Sequence, residues 1–394
     1  MYKLEQQRAN IRVSQSVTRY VKLMSESSKS TGKEYLSRLR LFEEYTITVH
    51  KFTLDDLLLT KKVQMDVYEL LRGYVTFLLS KNSYSNRTIK QRVVTARDLL
   101  EYNDIDTGRF KYKVKIPKIV KQEIEALDRN LIIDILENCP NPRLKLYVLL
   151  LASTGMRAGE ACSIRIMDLD LDKRKVHIRG EYTKTKTARY VYLTNELCKS
   201  LLIWFDYKYR PRKKYFEWDR EKDYYVRLRD PPIIEPQRNE TDLVFGLRFG
   251  TGEKQSVRAL YHHLLDHFDK VLDRLGIEFE DISKRRRKIT LHSFRRHVKS
   301  TISDLGYSDY SEWFIGHAHS TYYRRPKKEK FELFKKLESS LTYLDQAGLE
   351  KKHQDVISRL ETVEEENINL HKEVSKYESL QKQIEELNKK MGLG

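Results

Sequence analysis

Residues 31–45, TGKEYLSRLRLFEEY, set Tyr35, Leu39, Phe42 and Tyr45 at helical spacing behind a Ser/Thr/Gly start. The pattern predicts an amphipathic helix whose other face carries Lys33, Arg38 and Arg40. Two more helices are expected, over residues 63–80 (VQMDVYELLRGYVTFLLS) and, after the turn KNSYSN, over 87–103 (RTIKQRVVTARDLLEYN). In the last of these the stripe Ile89, Val93, Ala96 and Leu100 lies opposite Lys90, Arg92 and Arg97. Together they predict a small basic helical bundle over residues 29–110, preceded by an N-terminal extension, 1–28. Residues 111–125 are basic, rich in β-branched side chains and interrupted by Pro117, so they read as an interdomain linker.

A second domain, 126–346, is expected to start where Asp128 can cap the helix RNLIIDILENC. The following helix is apolar up to Thr154-Gly155. Short strands are predicted at 175–180 (KVHIRG) and 188–193 (ARYVYL), joined by the turn EYTKTKT. Residues 207–240, crowded with Tyr, Arg, Lys and Asp and broken by Pro231-Pro232, read as a surface insertion before helices resume at Ser256. The fold class is therefore mainly α with a small antiparallel β-sheet, an α+β arrangement. From 347 to 394 the register changes: Val356, Leu360, Val363, Leu370, Val374, Tyr377, Leu380, Ile384, Leu387 and Met391 mostly alternate three and four apart. This is a coiled-coil seam, with Asn367 at a core position where an amide fixes register.

Composition narrows the class of partner. Lys and Arg number 75 against 57 acids, a net charge of +18. Residues 350–394 hold ten acids and eight Lys or Arg, which leaves the rest at about +20 and favours a polyanionic partner, nucleic acid above all. The pattern offers no apolar run long enough to cross a bilayer and no signal peptide, so a soluble, cytoplasmic protein is expected. Cys139, Cys162 and Cys198 suggest neither a disulfide framework nor a zinc site. His263 and His267 stand four apart but lack a third ligand, so no metal is expected.

Breaking a phosphodiester requires neutralising charge that grows on the non-bridging oxygens, a placed nucleophile, and a proton for a poor alkoxide leaving group. Arginine suits the first task, because its planar fork binds two phosphate oxygens and stays charged. Arg157 in STGMRAGE and Arg295 in LHSFRRH each follow an apolar or capping segment rather than lying on a solvated face. Glu160 stands three residues after Arg157, Lys184 and Lys186 lie in the turn between the strands, and His292 precedes Arg295 by three. Gly316-His317 and the pair Tyr322-Tyr323 follow. In this order within one domain, the residues resemble the tyrosine recombinase family, the phage-integrase-like site-specific DNA recombinases. The wording GEYTKTKTARYVYLT and the ending GHAHSTYYRRP look most like archaeal integrases of mobile elements. The resemblance covers residues 30–345 and is strongest from Leu151 to Pro326.

The resemblance implies that Arg157 and Arg295 clamp the scissile phosphate, that Glu160 braces the first arginine, and that His292 is a general base or hydrogen-bonding partner. It gives His317 a hydrogen bond to a non-bridging oxygen and a turn lysine the protonation of the leaving 5′ oxygen. The register of KTARYVYLT favours Lys186, with Lys184 as the alternative. Adjacent residues point in different directions, so one tyrosine attacks and the other packs; Tyr323 is the expected nucleophile and Tyr322 the alternative. A phenol with a pKa of about 10 makes a phosphodiester that an alcohol can attack again, so strand rejoining needs neither ATP nor a metal. No cofactor is expected. Arg285, Arg286 and Arg287, together with the cations of the bundle (Lys33, Arg38, Arg40, Lys90, Arg92, Arg97), are expected to contact DNA. The resemblance also implies a tetramer on double-stranded DNA, with residues 328–345 docking on a neighbouring subunit and the coiled coil aiding self-association. The gap from His317 to the tyrosines is shorter than the family pattern. It keeps open a DNA-binding protein with altered chemistry, and a type IB topoisomerase-like enzyme shares the same residues.

Overall fold

The computed structural model describes residues 13–60, 62, 64–119, 127–183, 186–214, 216–219, 221, 224–247, 256–277, 279–281, 286–317 and 323–344. The chain divides into two compact units, Met1–Ile124 with Phe279–Arg286, and Glu125–Glu278 with Arg287–Gly394.

In the first unit the longer helices are α1 (Gln15–Ser27), α2 (Lys29–Tyr45), α3 (Val67–Ser80) and α4 (Asn86–Tyr102). The apolar stripes meet as their periodicity requires: Leu39, Phe42 and Tyr45 of α2 are buried with Leu71 and Tyr74 of α3 and with Val93, Ala96 and Leu100 of α4. The bundle begins earlier than the sequence pattern indicates. Val17 and Tyr20 of α1, within the segment read as an extension, join this core. The first amides of α1 are satisfied by carboxylates distant in sequence: Glu43 accepts from Ser14 N at 3.0 Å, and Asp55 from Gln15 N at 2.7 Å and Ser16 N at 2.9 Å. At the other end, a helical turn at Phe110–Lys113 and the buried Val114 pack on the same core, so the start of the expected linker is structured.

The second unit is built around α6 (Pro142–Thr154), whose residues from Arg143 onward are almost all buried. Such a helix is apolar on every side because it is enclosed on every side. Before it lies α5 (Arg129–Glu137), which Asp128 caps through Leu131 N as expected; after it comes the short α7 (Ala158–Ser163). A three-stranded antiparallel sheet follows, in the order β1 (Leu169–Asp170), β2 (Lys175–Ile178), β3 (Arg189–Tyr192), with Val176 opposite Val191 and Ile178 opposite Arg189. The remaining helices are α8 (Asn195–Tyr209), α9 (Val257–Arg274), α10 (Leu291–Asp304), α11 (Ser308–Ile315) and α12 (Lys327–Leu337). The predicted insertion has more order than its composition suggests: β4 (Arg212–Lys213) pairs with β7 (Ile233–Ile234), and β5 (Phe216–Asp219) with β6 (Tyr224–Arg227).

Within the single chain, part of the segment expected to dock on a neighbouring subunit packs on its own unit. Leu333, Phe334, Leu337, Leu341 and Tyr343 belong to the core of their own unit. Lys327 O accepts from the Tyr192 hydroxyl at 3.0 Å, Lys330 O from the Tyr310 hydroxyl at 3.1 Å, and Glu338 from Arg174 Nη2 at 2.9 Å. The expected coiled coil, 347–394, lies outside the described residues, as do Lys184, Arg285 and Tyr322.

Candidate active site

The turn after α6 begins the site. Gly155 caps the helix at φ +61°, a left-handed conformation that suits glycine, and an added Cβ would come within 3.1 Å of Val298 and Ile315. Its carbonyl accepts from Arg295 Nη1 at 2.9 Å. Two residues on, Arg157 opens α7. Its backbone N–H donates to Glu160 Oε2 at 3.2 Å and its Nη1 to Glu160 Oε1 at 2.8 Å. One glycine turn therefore fixes both arginines.

Glu160 is buried, yet its carboxyl is held below the usual range: burial pushes it up, and the hydrogen bonds and charge of Arg189 and Arg157 outweigh that. Arg295 is 3% exposed. Burial first, then the neighbouring charges of Arg157 and Arg189, pull its pKa down to about 10, so it remains a cation at neutral pH. Its Nη2 is buried with no partner among the described residues, an unusual state for a buried donor.

His292 opens the same helix as Arg295, one turn before it, and reaches solvent. Partial desolvation, then Arg295, Arg296, Arg157 and His317, hold its pKa below the ordinary histidine value. Arg295 bonds the turn that precedes Arg157, and His292 lies one turn before Arg295 on the same helix. His317 follows the left-handed Gly316 at the end of α11, and the Glu312 carboxylate pairs with its Nδ1 side and also with Lys299. Burial pushes Glu312 up, but the Lys299 hydrogen bond and His317 leave its pKa lowered. Arg189, Glu312 and Lys299 were not singled out by sequence reasoning. Arg189 lies in KTARYVYLT, and only the strand register shows that it faces the cluster; Glu312 has no local pattern to mark it.

Lys186 sits in the turn before β3 with a left-handed φ of +55° and an exposed side chain. Thr183 shapes this turn, with Oγ1 donating to Gly180 O at 3.0 Å and accepting from Thr187 N at 3.1 Å. Gly180 is required, since a Cβ there would meet Lys186 O at 2.7 Å.

Tyr323 is packed among aromatic side chains. Its ring packs edge-on to Tyr310 at 5.8 Å and beside Trp313 at 6.1 Å, with Lys330 Nζ over it at 5.4 Å. Burial raises its phenol pKa against the pull of Arg325, and Asp309 and Glu329 raise it further. These surroundings disfavour the phenolate form.

The nucleic-acid candidates separate. Lys33 and Lys90 are exposed. Arg38 pairs with Glu34 at 2.9 Å, and Arg97 with Asp98 at 2.6 Å and Glu101 at 3.5 Å. Arg92 lies over Tyr84, and the Nε atoms of Arg40 and Arg92 are buried without partners among the described residues. Arg286 begins a short strand, Arg286–Arg287. Arg287 is occupied within its unit by Asp273 at 2.8 Å and Asp269 at 3.2 Å. His263 stacks on His267 and accepts from Arg143 Nη2 at 2.9 Å, a packing arrangement.

Residues 122–320 match the phage integrase family. The tyrosine recombinase XerA of Saccharolobus solfataricus is 30% identical over 118 residues, which cover 30% of this chain and 38% of that protein. XerA of Thermococcus kodakarensis is 25% identical over 234 residues, 58% of this chain and 76% of the relative. The structure of a lambda integrase dimer bound to a COC′ core site has the same fold, with a TM-score of 0.53, 14% identity, and coverage of 78% of this chain and 74% of that one. The match over 122–320 contains the paired arginines, their carboxylate and both histidines, and the chain belongs to the phage integrase family.

Proposed function

We propose that this protein is a site-specific DNA recombinase that cleaves and rejoins strands through a covalent 3′-phosphotyrosine. The observation that carries this reading is the buried Nη2 of Arg295, which has no partner among the described residues, in a guanidinium that the charge of Arg157 also acts on, a donor suited to an anion. Arg157 and Arg295 hold the non-bridging oxygens, and His317, oriented by Glu312, adds a hydrogen bond. The Tyr323 oxygen attacks phosphorus with loss of its proton to His292 or water, the P–O5′ bond breaks, and Lys186 supplies a proton to the leaving oxygen. Attack by a 5′ hydroxyl on the phosphotyrosine reverses each transfer, so neither ATP nor a metal enters the cycle.

Double-stranded recombination sites are the proposed substrate, bound by the helical first unit and the catalytic unit. A tetramer, with self-association through residues 347–394, is the proposed working form. Integration, excision or transposition of a mobile element is the proposed setting. In the resting arrangement Tyr323 lies against Tyr310 and Trp313, and DNA binding is proposed to release it.

Duplexes nicked near the scissile phosphate, which trap the covalent adduct, test this. Wild type is expected to form the adduct, Tyr322→Phe to retain it, and Tyr323→Phe and Arg295→Gln to lose it. The placement of Tyr323 favours a second reading, a DNA-binding protein with altered chemistry. Tight DNA binding with no adduct on any cognate site would assign that reading instead.

A further inference from the structure

The Glu160 carboxylate is shared by two arginines. Arg157 supplies Nη1 to Oε1 at 2.8 Å and its backbone N–H to Oε2, while Arg189 supplies Nη2 to Oε2 at 2.6 Å and Nη1 to Oε1 at 3.3 Å. The Arg189 side chain is 10% exposed and that of Glu160 2%, so this contact is made in a dry environment where a bidentate pair fixes geometry. On its other edge, Arg189 presses against the Gly-His element. A Cβ on Gly316 would lie 2.5 Å from Arg189 Nε and 2.6 Å from its Cδ, and that Nε is buried without a partner among the described residues. Arg189 itself opens β3, three residues after Lys186.

We infer that Arg189 is a positioning residue. Its fork holds Glu160, which holds Arg157, while its Nε edge sets the distance to Gly316 and hence to His317. One side chain thus ties the strand that follows the lysine turn, the first arginine and the second histidine into one spacing. A merely structural ion pair at this place would affect stability and leave the geometry of Arg157 untouched. The inference rests on the strand-transfer reading only for its kinetic arm.

Two measurements on the full-length protein test it. In single turnovers on saturating nicked duplex, Arg189→Gln is expected to slow adduct formation by about 100-fold, the scale of an ångström misplacement, with duplex affinity unchanged. Arg189→Lys, which keeps the charge and loses the fork, is expected to fall between the two. In a Glu160→Gln background, where only the Gly316 edge of Arg189 still acts, Arg189→Gln is expected to add much less than its loss in wild type. Adduct formation by Arg189→Gln at the wild-type rate, or losses that multiply with those of Glu160→Gln, overturns the inference.

Separately, in protein carrying 15N-arginine, the Arg157 Nε–Hε signal, assigned by its loss in Arg157→Lys, is expected to be sharp in wild type. It should broaden or vanish in Arg189→Gln, and an unchanged signal overturns the inference without reference to DNA chemistry. A wild type that forms no adduct defeats the strand-transfer reading alone, since the spectral arm still decides the role of Arg189. Should Arg189→Gln not fold, Arg189→Lys carries both arms.

Discussion

Arg295 shows what the site asks of a single side chain. It holds a full charge at 3% exposure, with a backbone carbonyl as its hydrogen-bond partner and two further guanidiniums lowering its pKa. A desolvated cation among cations is costly until an anion arrives. The same field acts on His292, whose pKa is depressed by partial burial and by Arg295, Arg296, Arg157 and His317. The neutral form is favoured in the folded protein, so the unfolded chain binds more protons there. Its contribution to stability is present above the unfolded pKa and is lost as pH falls through the folded one. In the proposed reaction, a neutral His292 able to accept a proton would persist to lower pH than an ordinary histidine allows. Arg296 is bonded to Ser293 Oγ at 2.9 Å and is assigned no part in holding phosphate, so it can be removed to test the field. Arg296→Gln is expected to shift the acid limb of adduct formation to higher pH, toward the ordinary histidine value. A limb that stays in place, measured across pH 5–8 at saturating DNA, rules out His292 as the titrating group.

At the scale of elements, α1 is held by carboxylates from other parts of the first unit. Burial raises the pKa of Asp55, but the hydrogen bonds from Ser16 and Gln15 prevail and leave it lowered, so the carboxylate is the form that caps the helix. Asp55→Ala is expected to destabilise this unit by about 0.5–2 kcal/mol, as loss of a helix cap does. Urea unfolding followed by a probe in that unit reads it, and a change well below that range assigns the anchoring to Glu43 and the apolar contacts of Val17 and Tyr20. This contact also explains what the sequence hides. Helices α2, α3 and α4 are legible because their stripes repeat within one element, and Arg157, His292, Arg295 and His317 are legible because short local patterns carry them. Helix α1 also carries an apolar face, but only Val17 and Tyr20 of it are fully buried, and its anchors, Glu43 and Asp55, lie 29 and 39 or more residues away. Arg189 and Glu312 are hidden for the same reason: their meaning depends on pairing across the fold, Arg189 with Glu160 at a separation of 29. The resting place of Tyr323 follows from α11 and α12 packing in their own unit, which periodicity alone cannot reveal.

At the scale of the whole molecule, a net charge of +18 describes an attraction to polyanions, but its effect depends on which cations are already neutralised at home. Arg97 faces Asp98 and Glu101, and Arg287 faces Asp269 and Asp273. Lys33 and Lys90, on α2 and α4, are exposed. These helices share a seam where Arg38 Nη1 reaches Thr95 Oγ1 at 3.4 Å and Arg92 Nη1 reaches Ser37 O at 3.5 Å. Binding that releases counterions from duplex DNA makes the logarithm of affinity fall linearly with the logarithm of salt, by about 0.9 for each phosphate neutralised. Lys33→Ala and Lys90→Ala are therefore each expected to reduce that slope by about 0.9, on cognate and unrelated duplexes alike, because phosphate contacts position the protein without reading sequence. Arg97→Ala removes a charge that two carboxylates already offset, and the slope is expected to stay near the wild-type value. Fluorescence anisotropy across a salt series separates the two cases: an Arg97 variant that loses as much slope as the lysine variants shows that its carboxylates release it to the phosphate backbone when DNA binds.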